Sequence, residues 1–335
     1  MFAMPPPESS RILATLCAYW QTEALKAAID LGVFTVLGGA ACTPSELARG
    51  CGANEAALRR LCDYLVFLGL LRTRHGRYRS AADVARFLDA RSPHALTTVS
   101  RFFNAPPVTA AFARLADIVR GDKRVNAIEQ DGEGSLWREF ARSTLPLRQL
   151  HAKELASVLR RRGVVRGRIL DLGAGGSPLG IELIRRSRGT SLVVQDRPAV
   201  LEIALEHAAA AGVAPRVSAL PGDARSVEFG GPFHLVLMVN FLDYFDVATR
   251  AALVRKARAA LVPGGVLAIA APLLHTDRTS PPDAVAYDLL LLALSGSGRP
   301  STGRDLERLL RTASFSRITR TATPSMVMAR KTDKA

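Results

Sequence analysis

Apolar side chains recur at helical spacing over residues 11–31, at Ile12, Leu16, Tyr19, Trp20, Ala24, Ala27 and Ala28, and Gly32 ends the run. That spacing predicts a helix. Thr43-Pro44 starts a short second one: Thr43 can cap it, Pro44 suits its first turn, and Glu46 stands where a capping box needs it. Another helix is predicted from about Asn54 to Leu68, stopped by Gly69, and RTRHGRYRS then reads as two short strands turning at Gly76. Helix, turn, helix and hairpin in that order form a winged-helix pattern. Residues 92–150 carry proline breaks at Pro93, Pro106, Pro107 and Pro146, and a polar loop near Asp131 to Gly134. The segment SLWREFARS is predicted as a helix with Trp137 and Phe140 on one side.

From residue 151 the pattern changes to short apolar strands alternating with helices. Strands are predicted at Arg168 to Leu172, Ser191 to Gln195, Val217 to Leu220, Phe233 to Val239 and Val266 to Ala271. Helices are predicted at Lys153 to Arg162, Ser177 to Arg188, Pro198 to Ala211 and Ala248 to Leu261, and near 283–294 and 302–313. Strands without strict alternation, separated by helices, indicate a parallel sheet covered on both faces. Two closing strands, SRITRT and MVMARK, are joined by a short turn, so at least one should run antiparallel at the edge. The predicted fold class is α/β, a doubly wound and mostly parallel sheet behind an N-terminal helical winged-helix domain. The expected domains are a winged-helix unit over 1–100, a helical connector over 101–150 and the α/β unit over 151–335.

Composition narrows the function classes. The 335 residues are 48% hydrophobic and 22% charged, which is globular composition. The N-terminus shows no secretory pattern, and the best apolar run, Leu289 to Leu294, is too short to span a bilayer. A cytoplasmic protein with no membrane partner is expected. Cys17, Cys42, Cys51 and Cys62 form no C-x-x-C pair and have no histidine set beside them, so reduced thiols rather than a metal site are expected. The net charge of +15 raises nucleic-acid binding. Most of the excess, however, lies in the second half, on helices. The second helix of the winged pattern carries Glu55, Arg59, Arg60 and Asp63, which cancel, and is otherwise largely apolar. The wing is basic (Arg72, Arg74, Arg77, Arg79), but a dimerisation or scaffold role fits this domain better than base reading.

In an open α/β sheet, ligands bind beyond the carboxyl ends of the strands. After the first strand comes Asp171-Leu-Gly173-Ala-Gly175-Gly176-Ser177-Pro178, a turn that lets backbone approach a ligand closely. A dinucleotide fingerprint wants glycine at 178, where proline stands. After the second strand, Asp196 is placed to accept from both hydroxyls of a ribose, to cap the helix beginning at Pro198, or to do both. After the third, Gly222-Asp223-Ala224 sets a carboxylate where an adenine amino group could bond it. After the fourth, Asn240-Phe241-Leu242-Asp243-Tyr244-Phe245-Asp246 adds a polar, aromatic loop to the same rim.

The series DLGAGGSP, VVQDRP, PGDA, NFLDYFD and ALVPGGVLAIAAP resembles the small-molecule O-methyltransferase family, over nearly the whole chain. The resemblance implies a dimerising winged-helix domain, hence a homodimer, and S-adenosylmethionine (SAM) as cofactor. Asp171 opens the cofactor turn, Gly173 and Gly175 would lie along the methionine part, Asp196 would hold the ribose, Asp223 and Ala224 the adenine, and Asn240 would line the same pocket. The family's general-base histidine falls at Asp243, and the glutamate that orients it falls at Ala271, just before Pro272. Asp243 is therefore expected to position substrate or act as a weak base, and His275 is the sole histidine near that rim. Trp137 and Phe140 either close over the pocket or belong to the core. The function implied is methyl transfer to the oxygen, nitrogen or carbon of a small aromatic or heteroaromatic metabolite. A SAM-binding relative catalysing another reaction and a winged-helix regulator are the alternatives.

Overall fold

The computed structural model describes residues 7–121, 134–295, 298–321 and 325–332. Asp131 to Glu133 of the polar loop lie outside the described residues. The chain divides into two compact units, Met1–Ser100 and Arg101–Ala335.

The first unit contains α1 (Pro7–Leu16), α2 (Tyr19–Asp30), α3 (Val33–Leu37), α4 (Pro44–Cys51), α5 (Glu55–Phe67), the hairpin β1 (Leu71–Arg74) and β2 (Arg77–Ser80), and α6 (Ala82–Leu88). The Thr43 capping box closes, with Glu46 N–H donating to Thr43 Oγ1 and Thr43 N–H to Glu46 Oε2 at 2.8 Å. Asn54 caps α5 through the Ala57 amide. Phe34, Leu37, Leu47, Leu58, Cys62, Leu65 and Leu71 form its core. The run over 11–31 proves to be two helices broken at Cys17-Ala18, and most of its apolar stripe faces outward: Ile12 is 59% exposed and Trp20 52%.

After α7 (Val99–Phe103), the second unit begins with α8 (Pro106–Ala113) and α9 (Leu115–Val119). Then α10 (Ser135–Arg161) runs through Pro146 without interruption, where the sequence pattern predicts two helices. Proline removes one ladder bond at a cost of about 3 kcal/mol. The buried stripe of Leu136, Ala141, Ala152, Leu155, Ala156 and Leu159 continues on both sides of it, and that packing outweighs the lost bond. The rest alternates β3 (Arg168–Leu172), α11 (Pro178–Arg185), β4 (Ser191–Asp196), α12 (Pro198–Ala210), β5 (Val217–Pro221), β6 (Phe233–Val239), α13 (Val247–Ala260) and β7 (Leu261–Ala270). It ends with α14 (Pro282–Ser295), α15 (Gly303–Thr312), β8 (Phe315–Thr321) and β9 (Met326–Lys331).

The sheet order is β5-β4-β3-β6-β7-β9-β8. Strands β3 to β7 pair in parallel, while β9 runs antiparallel to both β7 and β8. Strand β7 begins earlier than the hydrophobic pattern suggests, because Leu261 pairs with Phe233 and the Pro263-Gly264-Gly265 stretch is taken up by a register shift. One core packs α10, α11 and α12 on the sheet through Leu159, Leu183 and Ala204; the other packs α13 and α15 through Val254 and Leu310. The chain winds outward from β3 to β5 and returns at β6, so the switch in strand order lies between β3 and β6. The crevice of a doubly wound sheet opens there.

Among the described residues, no helix is long and apolar enough to cross a membrane.

Candidate functional site

The turn after β3 is held in an unusual backbone path. Gly173, Gly175 and Ser177 all have positive φ, at +61°, +54° and +45°. A side chain at Gly173 would place its Cβ 2.1 Å from the Phe241 ring, and one at Gly175 would meet Arg148 Nη1 at 2.6 Å. Such a path persists only when its surroundings determine it. They do so here. Ala174 N–H donates to the Gln195 carbonyl at 3.0 Å, and Ser177 N–H to the Ala174 carbonyl at 2.7 Å. Gly175 N–H donates to Asp196 Oδ2 at 2.8 Å, and Ser177 Oγ donates to Asp171 Oδ2 at 2.7 Å.

A cavity of about 310 Å³ opens over this turn, within the usual range for small-molecule sites. Gly173, Gly175, Asp196, Asp223, Ala224 and Asn240 all line it, from the ends of β3, β4, β5 and β6. Asp171 lies beneath instead, 3% exposed; burial pushes its carboxyl up to about 7, against the opposing pull of Ser177 and Arg148. Asp196 does not cap α12. Its Oδ1 accepts the Arg197 amide at 2.8 Å, and Arg197, not Asp196, occupies the cap position. Burial raises its pKa, opposed chiefly by the two backbone donors. Asp223 is held below the usual carboxylate range by Arg225, whose Nη2 donates to Oδ2 at 2.6 Å.

The other wall is aromatic. Trp137 and Phe140 line the cavity from α10 and are not sealed in the core. Tyr244 meets the Trp137 ring edge-on at 4.7 Å, and Phe241 meets Phe245 at 5.1 Å. Asn240 holds φ +49° while its N–H donates to the Ala270 carbonyl at 2.8 Å.

The two candidate catalytic groups lie elsewhere. Asp243 is 2% exposed and stands behind the wall, with Oδ1 3.9 Å from Arg250 Nη1 and Oδ2 buried without a hydrogen-bond partner among the described residues. Burial pushes it up to about 7, although Arg250 acts against this. Its neighbour Tyr244 takes the place on the cavity surface because the short helical turn 242–244 rotates successive side chains apart. His275 is exposed, pairs with Ser280 at 3.0 Å, and does not line the cavity.

Arg148 and Gln195 also line the site, although the sequence reading gives neither a role. Arg148 reaches the turn from α10, with Nε buried and without a hydrogen-bond partner among the described residues. Gln195 donates to the Gly222 carbonyl at 2.6 Å and leaves Oε1 buried and, among the described residues, unpartnered. Only the position of Gln195, next to Asp196 at a strand end, could have signalled either one.

The chain matches the O-methyltransferase dimerisation domain over residues 13–90 and a methyltransferase domain over residues 169–265. It is 30% identical over 308 residues to the 3-hydroxy-5-methyl-1-naphthoate 3-O-methyltransferase of Streptomyces sahachiroi, covering 89% of this chain and 87% of that one. A solved Nostoc punctiforme structure, described as a candidate O-methyltransferase, superposes with TM-score 0.91 at 31% identity, covering 98% and 100% of the two chains. Human N-acetylserotonin methyltransferase in complex with SAM superposes with TM-score 0.85 at 21% identity, covering 99% and 100%, a likeness of fold. A dimerisation domain followed by a methyltransferase domain, and end-to-end similarity to such enzymes, place the chain in the family of SAM-dependent small-molecule O-methyltransferases.

Proposed function

We propose that the cavity holds SAM along the strand ends and an aromatic acceptor against Trp137, Phe140 and Tyr244, and that the atom methylated is an acceptor oxygen already ionised near neutral pH. The residues fit the cofactor. Gly173 and Gly175 leave room where any Cβ would collide, and the Asp196 oxygens retain lone pairs beyond their backbone donors. Asp223 and Ala224 stand where an adenine would lie. The desolvated Arg148, with an unpartnered Nε, suits the amino-acid carboxylate. Bound there, SAM supplies an electrophilic methyl group.

The observation that carries the choice of acceptor is the lining itself: it is aromatic, its arginines (Arg148, Arg197, Arg225) are matched by aspartates (Asp196, Asp223, Asp246), and among the described residues it includes no histidine. A phenol of pKa near 10 needs a base that this wall does not offer. An acidic phenol that arrives ionised near neutral pH needs no such base. The chain's residues then orient the oxygen and exclude water, which supplies several kcal/mol of rate enhancement. The Streptomyces sahachiroi relative is named for transfer to a ring hydroxyl of a naphthoate, in keeping with an aromatic acceptor methylated on oxygen. The test uses methyl-labelled SAM with phenols of graded acidity, read by mass spectrometry. Label should appear on oxygen, fastest for the most acidic phenols at fixed pH. Transfer to nitrogen or carbon, or consumption of acceptor with no label moved, would overturn the proposal.

We further propose a cytoplasmic homodimer. Exposed Leu16, Tyr19 and Trp20, with Ile12 just before them, give the first unit an apolar face at the start of its dimerisation match, and all four cysteines are free. Sedimentation should give twice the chain mass.

A further inference from the structure

The glycine turn has one more fastening, from a residue that neither cavity nor motif singles out. His207 on α12 contacts the Gly176 carbonyl through Nδ1 at 2.8 Å, and its Nε2 lies 2.9 Å from Nε2 of Gln149 on α10. A carbonyl oxygen only accepts, so Nδ1 carries the proton and donates to it. In the neutral ring Nε2 then accepts from the Gln149 amide. The imidazole thus ties two helices to the peptide between Gly176 and Ser177, whose N–H closes the turn on Ala174. A second proton on the ring would set N–H against N–H at Gln149, or force that amide over, and would leave a charge in a half-buried site.

We propose that His207 is a positioning residue for the cofactor turn and holds it only as the neutral Nδ1–H imidazole, so that protonating His207 weakens SAM binding. The inference rests on the SAM reading of the cavity. Burial lowers the pKa of His207, with the Gly176 bond acting against it, and no charged neighbour contributes. On the packed helices, Arg142 pairs with Glu206, Arg138 with Glu202, and Glu182 with Arg185 and Arg186. At the turn itself, Asp171 and Asp196 also gain protons as pH falls, and Arg148 stays charged. Those groups are common to wild type and variant, so the informative quantity is the difference between the two.

His207→Gln keeps one donor and one acceptor but does not titrate. Calorimetric SAM affinity should fall between pH 8 and pH 5 by about fivefold more in wild type than in His207→Gln, the worth of one hydrogen bond. Parallel declines overturn the inference. A second measurement needs no variant. In 15N-histidine spectra of the wild type, saturating SAM should shift the His207 titration to lower pH, because binding and protonation oppose each other reciprocally. A titration unmoved by bound SAM overturns it equally. If wild type binds no SAM at any pH, the cofactor reading itself fails, and this inference with it.

Discussion

Asp196 receives the Gly175 amide on one carboxylate oxygen and the Arg197 amide on the other, each at 2.8 Å. The carboxylate is therefore a fixed part of the turn and keeps lone pairs for a ligand. Asp196→Ala should weaken SAM binding at least tenfold by calorimetry, about 1.4 kcal/mol or more. An unchanged affinity would remove Asp196 from the cofactor site.

Gly173→Ala tests the cradle from the other side. The added methyl would need φ +61° and would sit 2.1 Å from the Phe241 ring. SAM binding should be lost in calorimetry while far-UV circular dichroism shows the fold retained. Wild-type affinity would mean that the turn and Phe241 yield together without consequence.

Arg148 is assigned the carboxylate end of the cofactor on its cavity position and unpartnered Nε. Arg148→Met, which keeps the stem, should weaken SAM binding by tenfold or more, and adenosine binding much less. Equal losses for both ligands would shift Arg148 to a general structural role.

Asp243 and Arg250 form a buried pair behind the aromatic wall. Arg250 is 7% exposed and also donates to the Phe245, Asp243 and Arg299 carbonyls and to Ser301 Oγ. Arg250→Met strands those acceptors and should cost about 3–5 kcal/mol of stability in denaturant titration. A loss below 1 kcal/mol would mean the pair is not structural.

The pH dependence has a definite sign. Asp243 has a folded pKa of about 7, raised from 3.8, so between those values the native state binds more protons than the unfolded chain. Its contribution to stability is full at low pH and declines as pH rises from 4 to 7. Asp171, also raised to about 7, acts in the same direction. Thermal melts over that window should show a shallower decline for Asp243→Asn than for wild type. Superimposable slopes would contradict the buried-carboxyl description.

The alternation of strands and helices from Arg168 to Ala270 is legible in the sequence because strands buried on both faces read as short apolar runs. The same register exposes Asp196, Asp223 and Asn240 as strand-end residues. Three features are not legible. Helix α10 passes through Pro146 because tertiary burial outweighs a local penalty, which periodicity cannot weigh. Asp243, expected at the rim, sits behind the wall while Tyr244 faces the cavity, because a single turn of tight helix decides which of two neighbours does so. Arg148 and His207 reach the glycine turn from helices far along the chain, and no spacing rule links them to it. The exposed stripe of α1 and α2 misleads in another way: apolar periodicity marks a face that needs covering, without saying whether its own unit covers it.

Helix α10 carries Trp137 and Phe140 before Pro146, and Arg148 and Gln149 after it. The proposed acceptor contacts and the proposed cofactor supports are thus consecutive segments of one rod, with the proline as the joint. Chimeras that exchange this helix between related enzymes should recombine at that joint: the upstream piece would carry substrate choice, while the downstream piece would have to stay with its native glycine turn.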